Sequence, residues 1–392
     1  MHQTGTQTYD LVVLGAGPAG AAAAFAAARD GLSVALIDKA AFPRAKLCGG
    51  LFSGRARMYF EKVFDRPLDP ALFDPRHTVG FYMRGLPMGA PQITSPMHVT
   101  MRWDMDAWLK DLACQAGAAD FTGHRVAALD LATNTVTLQD GAPLSYKVLV
   151  GADGVNSLVS KHLNGRSYDP ARIGFALEIE APNTTDLGRD ALLRVDFDAA
   201  NWGYGWEFPK ARTTTIGIGG IHLRNPDMQE RMARYRTLLG DNSTARVKGH
   251  FLPFGEDKGP PGRGNVLLAG DAAGFIDPIT GEGIAYAFQS GQCAARAAAR
   301  AIAMGKPANA LKYYKRGVAP IRRSLRIACR IRPLVFSDRF RPVFERNFEH
   351  SRVLKQAFLK LLNGECEYPR ILVLVVRRLP GAILRRRWGR QR

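Results

Sequence analysis

The hydrophobic pattern at the start of the chain alternates strand-like and helix-like segments. An apolar run at 9–14 (YDLVVL) predicts a strand, the alanine-rich segment 17–30 predicts a helix, and 33–38 (SVALID) predicts a second strand. A further helix is predicted over 104–116, with Asp104 as its N-cap. Strands that alternate with helices are typical of βαβ units, so the chain is predicted to begin as an α/β fold.

The middle of the chain has the pattern of a second sheet. Short strands are predicted near 124–130, 134–139 and 147–151, and several β-patterned runs follow between residues 172 and 220. Segment 264–300 returns to a strand and a long helix, and the remainder is helical and basic. The predicted organisation is a discontinuous Rossmann-type domain (1–75, 100–170 and 264–304), an inserted antiparallel β-sheet domain (76–99 and 171–263) and a basic helical region (305–392).

Composition limits the class of protein. The chain has 392 residues, of which 46% are hydrophobic and 23% charged, which is globular and excludes disordered or collagen-like proteins. Its five cysteines are scattered and form no CxxC pair, so neither disulfides nor a metal site is predicted, and a reducing cytoplasm is expected. The polar N-terminus runs directly into the first strand and no run of 18 apolar residues occurs, so we expect neither a signal peptide nor a membrane-spanning helix.

The positive charge is concentrated at the C-terminal end. The net charge is +19, and from Lys306 onwards 23 lysines and arginines stand against five acidic residues, a local net charge of +18. Predicted helices at 320–335 and 350–362 are basic on one side, and such helices bind anionic lipid surfaces. We expect peripheral binding to the inner face of the membrane and no binding to nucleic acid; a helical cap with a solvated basic face is the alternative. The apolar sides of these helices are predicted at Ile321, Leu325, Ala328 and Val335, and at Val353, Ala357, Phe358 and Leu361.

The segment Gly15-Ala16-Gly17-Pro18-Ala19-Gly20 lies between the first strand and the first helix, and Asp38 ends the next strand. The glycines allow a tight turn and a close approach of the backbone to a pyrophosphate at the helix N-terminus. Asp38 can accept hydrogen bonds from a ribose. This strand, helix and strand context predicts a dinucleotide-binding site.

Two later motifs, Gly151-Ala152-Asp153-Gly154 and Ala269-Gly270-Asp271, each follow a further predicted strand, and the second continues to Asp277-Pro278-Ile279-Thr280-Gly281-Glu282-Gly283. Together with the first motif, and in this order, they resemble the fingerprints of the FAD-dependent monooxygenase and reductase superfamily named after para-hydroxybenzoate hydroxylase. The resemblance covers residues 9 to about 300. It implies FAD as the resident cofactor, and the residues that it implies bind FAD are Gly15, Gly17, Pro18, Ala19, Gly20, Asp38, Lys39, Cys48, Gly49, Gly50, Arg102, Val126, Asp153, Gly154, Gly270, Asp271, Pro278, Gly281 and Gly283.

In this resemblance some positions have particular roles. Asp271 would bind the ribityl chain, and the amides of Gly281–Gly283 would face the N1/C2=O edge of the flavin. A helix that starts near Gly283 would present its positive end to the negative charge of a reduced flavin. Arg102 would contribute to the same pocket.

The segment Lys46-Leu47-Cys48-Gly49-Gly50 is similar to the Lys-Pro-Cys-Gly-Gly sequence of the geranylgeranyl reductase branch of this superfamily, from which Leu47 departs. The glycines would let the main chain lie against the isoalloxazine ring, where a Cβ would collide. Cys48 would then lie near the reactive face and shape the pocket or donate a proton. A small buried hydrophobe is the alternative for this cysteine.

An aromatic strand supports the same branch. At a period of two, Trp202, Tyr204, Trp206 and Phe208 are predicted on one face of a strand at 202–209. Members of the branch carry a similar Tyr-x-Trp-x-Phe-Pro strand above the flavin, which implies an apolar substrate slot lined by Tyr204, Trp206 and Phe208. Ordinary packing between sheets is the alternative, and the WxWxIP strand of flavin halogenases is a weaker match, from which Tyr204 and Phe208 depart.

The predicted function is an FAD-dependent oxidoreductase that reduces carbon–carbon double bonds of an isoprenoid or other lipid, with Cys48 and Tyr204 as candidate catalytic proton donors. No second GxGxxG segment occurs, so NADPH or a ferredoxin is expected as a transient electron donor. The alternatives are an FAD-dependent monooxygenase of an aromatic or polyketide substrate and a flavin-binding accessory protein. Five histidines match no catalytic pattern and are expected at the surface or in turns: His77, His98, His124, His222 and His250.

Overall fold

The computed structural model describes residues 7–183, 188, 191–254 and 258–371. The strands of this part of the chain are β1 (Gln7–Leu14), β2 (Val34–Asp38), β3 (Leu51–Phe52), β4 (Asp74–Met83), β5 (Leu86–Pro87), β6 (Gln92–Val99), β7 (Ala119–Thr122), β8 (Val126–Asp130), β9 (Thr135–Leu138), β10 (Pro143–Gly151), β11 (Gly174–Pro182), β12 (Leu193–Asp196), β13 (Tyr204–Pro209), β14 (Thr213–Ile221), β15 (Lys248–Leu252), β16 (Gly262–Arg263) and β17 (Val266–Leu268). The α-helices are α1 (Pro18–Arg29), α2 (Gly54–Phe64), α3 (Arg102–Gln115), α4 (Leu158–Asn164), α5 (Met228–Leu238), α6 (Ile284–Ala303), α7 (Ala310–Gly317), α8 (Ala319–Phe336), α9 (Arg341–His350) and α10 (Arg352–Leu362).

The first sheet has eight strands, with the order β16-β17-β10-β1-β2-β7 and the β8–β9 hairpin beside β10. Strand β1 is paired in parallel with both β10 and β2, and its last four residues are buried. Helices α1 and α6 pack tightly together because they meet through small residues. A Cβ on Gly291 of α6, for example, would lie 2.2 Å from the carbonyl oxygen of Ala19 in α1. The prediction of an α/β fold is confirmed.

The second sheet has nine strands, with the order β15-β11-β14-β13-β12-β4-β6-β3 and β5 beside β4. Its pairs are antiparallel except β12 with β4, which is parallel. Strand β3 belongs to this sheet although the sequence assigned its residues to the nucleotide domain. One face of the sheet packs on α5, and the other packs on the C-terminal helices.

The C-terminal helices cover one end of the second sheet. Apolar side chains of α8 and α10, among them Ala328 and Leu362, share a core with Trp206 and Phe208 of β13. The apolar faces predicted to meet a lipid surface are thus largely used in packing inside the protein. Arg323, Arg326 and Arg330 of α8 remain exposed. Within the described ranges, no helix is both long and apolar enough to cross a bilayer.

Three details of the sequence interpretation are wrong. Asp104 does not cap α3, because the helix begins at Arg102 and Asp104 lies in its first turn. Trp202 precedes the aromatic strand in a turn with φ 54°, because β13 begins only at Tyr204. Val353 is 46% exposed, whereas the nearby Lys355 is buried and donates a hydrogen bond to the Glu349 carbonyl oxygen at 2.7 Å.

Candidate active site

A cavity of about 820 Å³ lies where the carboxyl ends of β1, β2 and β10 approach the second sheet. Its volume is within the range of cofactor and small-molecule sites, and the carboxyl ends of parallel strands are the usual position for them. All three sequence motifs, the Cys48 loop and the aromatic strand contribute to its wall. The predicted site residues that line it are Gly15, Gly17, Pro18, Ala19, Asp38, Lys39, Cys48, Gly49, Gly50, Arg102, Val126, Asp153, Gly154, Tyr204, Trp206, Phe208, Gly270, Asp271, Gly281 and Gly283.

Two predicted cofactor residues do not line the cavity. Gly20 lies in the first turn of α1, where a Cβ would be 1.6 Å from the Gly15 carbonyl oxygen. A glycine is therefore needed there so that α1 can pack against the end of β1. Pro278 is buried in the turn behind the cavity wall. Both residues therefore affect the site indirectly, by supporting the backbone segments that line the cavity.

The first βα turn forms a concave cradle. Gly15 has φ 99°, and its N–H donates to the Ile37 carbonyl oxygen at 2.7 Å. Gly17 caps α1, and a Cβ there would meet only the Arg44 side chain, at 3.6 Å. Asp38 accepts hydrogen bonds from the N–H groups of Ala16 and Ala40, both at 2.9 Å, and is held at the cavity edge. The exposed positive end of α1 and a fixed carboxylate suit a dinucleotide.

A buried ion cluster lies beside the Cys48 loop. Both oxygens of the fully buried Asp106 accept hydrogen bonds from Arg102, each at 2.7 Å, and Arg44 approaches the same carboxylate at 3.2 Å. The net effect on Arg102 is a raised pKa: burial opposes the charged form, but the charge and hydrogen bonds of Asp106 outweigh it. The neighbouring Cys48 side chain acts on the pKa of Arg102 in the same direction as Asp106. The cluster thus fixes a permanent positive charge at the cavity wall.

The two glycines after Cys48 are required by packing within the protein. A Cβ on Gly49 would lie 3.0 Å from Trp206 Nε1 and 3.2 Å from the Phe208 ring. Gly50 has φ 77°, and a Cβ there would be 2.4 Å from the Thr100 carbonyl oxygen. The loop therefore lies directly against the aromatic strand, which brings Cys48 and the predicted substrate wall together.

The loop that precedes α6 is held from two directions. The buried Asp277 accepts hydrogen bonds from the N–H groups of Ile279 and Thr280 and, at 2.7 Å, from the Tyr368 hydroxyl of the C-terminal region. On the other side the Tyr204 hydroxyl donates to the Thr280 carbonyl oxygen at 2.6 Å. Burial raises the pKa of Tyr204 well above its ordinary value, so its proton is held firmly in this hydrogen bond.

Three polar residues of the cavity were missed or misjudged from the sequence. Glu178 of β11 is buried and accepts a hydrogen bond from the Cys48 N–H at 2.7 Å. His250 of β15, predicted at the surface or in a turn, lines the cavity and contacts the Lys46 ammonium group. Burial is the main cause that lowers the pKa of Lys46 to about 8 and that of His250 to about 4. His250 is therefore neutral near pH 7 and accepts a hydrogen bond from Lys46.

Only one of these three residues had a signal in the sequence. Lys46 belongs to the Lys-x-Cys-Gly-Gly segment. Glu178 and His250 lie on strands far from any motif and reach the cavity because β11 is paired with both β14 and β15. Sheet register, which no local pattern encodes, brings them to the Cys48 loop.

Comparison with known proteins agrees with this geometry. The family model described as FAD dependent oxidoreductase matches residues 10–80. The chain is 33% identical over 326 residues to geranylgeranyl diphosphate reductase of Rhodobacter capsulatus, covering 79% of each chain. It is 30% identical over 339 residues to menaquinone reductase of Mycobacterium tuberculosis, covering 80% of this chain and 82% of the relative.

Two solved structures share the fold. A geranylgeranyl bacteriochlorophyll reductase-like protein from Thermoplasma acidophilum superposes with a TM-score of 0.78 at 21% identity, covering 91% of this chain and 96% of that protein. A probable FAD-dependent monooxygenase from Pseudomonas aeruginosa gives a TM-score of 0.62 at 20% identity, covering 86% of this chain and 100% of that protein.

Fold, cavity and relatives together define an FAD-dependent oxidoreductase, as the three motifs predicted. Within that class, the chain belongs to the geranylgeranyl reductase family. The predicted family and cofactor are confirmed.

Proposed function

We propose that this enzyme reduces carbon–carbon double bonds in the isoprenoid chain of a lipid. The observation that carries the proposal is the meeting of the Cys48-Gly49-Gly50 loop with the aromatic strand at one cavity. Trp206 and Phe208 line that cavity, and Leu362 of α10 adds a further apolar side chain to it. Such a wall suits a hydrocarbon chain, which gains free energy by leaving water. The relatives named for geranylgeranyl diphosphate and menaquinone support the same substrate class.

The residues of the cavity fit a bound FAD. The cradle at Gly15 and Gly17 with Asp38 would hold the pyrophosphate and ribose, and Asp271 would bind the ribityl chain. The amides of Gly281–Gly283, at the N-terminus of α6, would stabilise negative charge on the ring. Asp153 Oδ1, buried at the same wall, has no hydrogen-bond partner among the described residues and would gain one from the cofactor. When bound and reduced, FAD supplies a hydride.

The chain's own residues would then orient the substrate and deliver a proton. In this proposal the Tyr204 hydroxyl, which donates a hydrogen bond to the Thr280 carbonyl oxygen, would hold the loop in front of α6 against the aromatic strand and so orient the substrate wall. Cys48 contacts the reacting end of the isoprenoid. The electron donor is external, NADPH or a ferredoxin, and docks transiently.

The test is anaerobic mixing of the reduced, FAD-loaded enzyme with geranylgeranyl diphosphate, in which the alkenes are the only groups that a reduced flavin could reduce. We expect the flavin absorbance to recover without oxygen and the product to be heavier by two hydrogens for each double bond reduced. The matched control is the same isoprenoid with its double bonds already saturated, which should leave the flavin reduced. Reoxidation only after oxygen is admitted, with incorporation of an oxygen atom into an aromatic substrate, would instead establish the monooxygenase alternative. Tight FAD binding with neither reaction would indicate the accessory protein.

We also propose that the region from residue 305 onwards binds anionic lipid surfaces. The exposed arginines of α8 and the local charge of +18 support it, although the apolar sides of α8 and α10 are packed inside the protein. The remaining basic segment, 372–392, lies outside the described residues. Binding would therefore be electrostatic rather than insertion of these helices, and the isoprenoid would be drawn from the membrane surface.

Replacing Arg323 and Arg330 with glutamine should weaken binding to vesicles that contain phosphatidylserine by about 30-fold, because each cation contributes about 1 kcal/mol. The measurement is vesicle co-sedimentation at low and high salt, and the wild-type affinity should fall as salt rises. The control is the same double replacement at Arg166 and Arg172, which are exposed in another part of the molecule. Equal binding by the two double variants would contradict a membrane role for α8.

A further inference from the structure

A buried carboxyl group forms part of the cavity wall behind the Cys48 loop. Glu178 is 5% exposed, and its Oε1 accepts the hydrogen bond from the Cys48 N–H. Its Oε2 is also buried and has no hydrogen-bond partner among the residues that the structure describes. Leaving a buried polar atom unpaired costs about 1–3 kcal/mol, so such an atom at a cavity wall indicates a role toward a ligand.

Sheet register places this carboxyl group beside the aromatic wall. Glu178 of β11 pairs with Gly217 of β14, and Gly217 pairs with Trp206 of β13, so all three residues share one face of the sheet. A Cβ on Gly217 would lie 2.4 Å from the Trp206 ring, which shows that the indole lies over this glycine and extends toward Glu178. The acid is therefore adjacent both to the proposed isoprenoid wall and to the Cys48 loop.

The surroundings bring the titration of this carboxyl group close to neutral pH, so that both the acid and the carboxylate form are populated there. Burial is the main cause that raises the pKa of Glu178 to about 7; the negative charge of Glu180 adds to it, while the Cys48 N–H and the charges of Lys210 and Lys46 oppose it. Lys210 and Glu180 form an ion pair at 2.9 Å, so their opposite effects on Glu178 largely cancel and burial dominates. The titratable and charged groups that face Glu178 from its own strand and from the neighbouring elements are Glu180, Lys46, Cys48, Lys210, Lys248 and His250.

We propose that Glu178 is the acid that protonates the alkene carbon during the reduction, an inference that rests on the proposed function. The substrate π bond breaks, and its electron pair takes the proton from the Glu178 carboxyl oxygen at one carbon. The other carbon receives a hydride from the reduced flavin, which is thereby oxidised by two electrons. Two C–H bonds form, Glu178 is left as a carboxylate, and solvent returns its proton before the next turnover. Cys48 anchors the acid through its backbone N–H, and its thiol is not the proton source.

The test compares Glu178→Gln, Cys48→Ala and Glu207→Gln with the wild type. Cys48→Ala retains the backbone N–H that binds Glu178, so it removes the thiol alone. Glu207 lies in β13 on the opposite face of the sheet, and burial also raises its pKa, which makes it the matched control. We expect Glu178→Gln to slow anaerobic reoxidation by the isoprenoid about 100-fold or more, the usual contribution of a general acid. Glu207→Gln should leave the rate unchanged.

Two readouts separate a catalytic role from a structural one. The wild-type rate should fall as pH rises through about 7, because the acid form of Glu178 is lost, and Glu178→Gln should lack this decline. Independently of activity, infrared pH-difference spectra of protein labelled at glutamate should contain a carboxylic acid band that titrates in the same range. That band should be absent in Glu178→Gln and present in Glu207→Gln.

The outcomes also distinguish this inference from the proposed function. If no isoprenoid reoxidises the wild-type enzyme, the proposed function is overturned, and the assignment of Glu178 to alkene protonation with it. If the wild type is reoxidised but Glu178→Gln retains its rate and pH profile, or if Cys48→Ala has the larger loss, Glu178 is not the proton donor while the function stands. Absence of the titrating band also overturns the role of Glu178, whatever the rates.

Discussion

Replacing Asp106 with asparagine is expected to lower the free energy of unfolding by about 3–5 kcal/mol, because it leaves a buried guanidinium group without its counter-charge. Asp106 is fully buried and binds Arg102 through two hydrogen bonds of 2.7 Å, with Arg44 as a second cation at 3.2 Å. The asparagine has nearly the same shape, but its amide presents donors to a guanidinium group that also carries only donors. The loss is therefore electrostatic and does not arise from a cavity.

The measurement is urea unfolding of the FAD-loaded protein, followed by tryptophan fluorescence, at neutral pH. Glu61→Gln provides the matched control, because Arg57 and Glu61 form the same i,i+4 spacing on α2 but are both more than 40% exposed. Glu61→Gln should lower the free energy of unfolding by about 0.5 kcal/mol or less. A loss for Asp106→Asn as small as that of the control would show that the Arg102 cluster does not depend on this carboxylate.

Gly15→Ala is expected to weaken FAD binding by about 100-fold or more and to destabilise the protein by about 3 kcal/mol or more. Two effects add at this position. Gly15 has φ 99°, a conformation that costs a residue with a side chain about 1–3 kcal/mol. In addition, a Cβ would lie 2.3 Å from the Ala152 carbonyl oxygen, so the ends of β1 and β10 would have to separate. Both strand ends form the floor of the cavity, and the cradle would be displaced with them.

The control for this prediction is Gly31→Ala, just beyond the C-terminus of α1. Gly31 also has a positive φ, 81°, but a Cβ there would meet nothing within 4 Å. Gly31→Ala should lower the free energy of unfolding only by the backbone strain, about 1–2 kcal/mol, and should leave the affinity for FAD unchanged. Titration of the apoproteins with FAD, followed by flavin fluorescence, measures the affinities. Equal affinity in the two variants would mean that the close approach at Gly15 is not needed for the cradle.

A glycine is needed at different positions of this site for different physical reasons, which the motif alone does not distinguish. Gly15 combines positive φ with a close approach to another strand, and Gly20 provides contact between α1 and the Gly15 carbonyl group. Gly17 has neither constraint, and a Cβ there would point to Arg44 across the cradle. Gly49 makes room for Trp206 and Phe208 rather than for the cofactor alone. A glycine at a motif position can therefore be required for packing within the protein as well as for binding the cofactor.

Local sequence determined the first βαβ unit, the cofactor class and the family. Those inferences rest on residues close together in the chain, because a tight glycine turn, a helix N-terminus and an acid at the next strand end are built by short-range geometry. The beginning of α6 at Ile284, directly after Gly283, was predictable for the same reason. The aromatic strand was also predicted from the sequence, but its first residue was placed at Trp202, two residues too early. The turn before Tyr204 has no distinct sequence pattern.

Only the tertiary structure decided which polar groups meet Cys48 and what the C-terminal helices cover. Glu178 and His250 reach the cavity through the pairing of β11 with its neighbours, and such long-range register depends on how the whole sheet packs. The apolar side of α8 was correctly placed by its period, yet period alone cannot say whether that side meets lipid or protein. In this fold it meets protein along its length: Ile321 and Leu325 join the core of the nucleotide-binding domain, and Ala328 joins the core around Trp206 and Phe208.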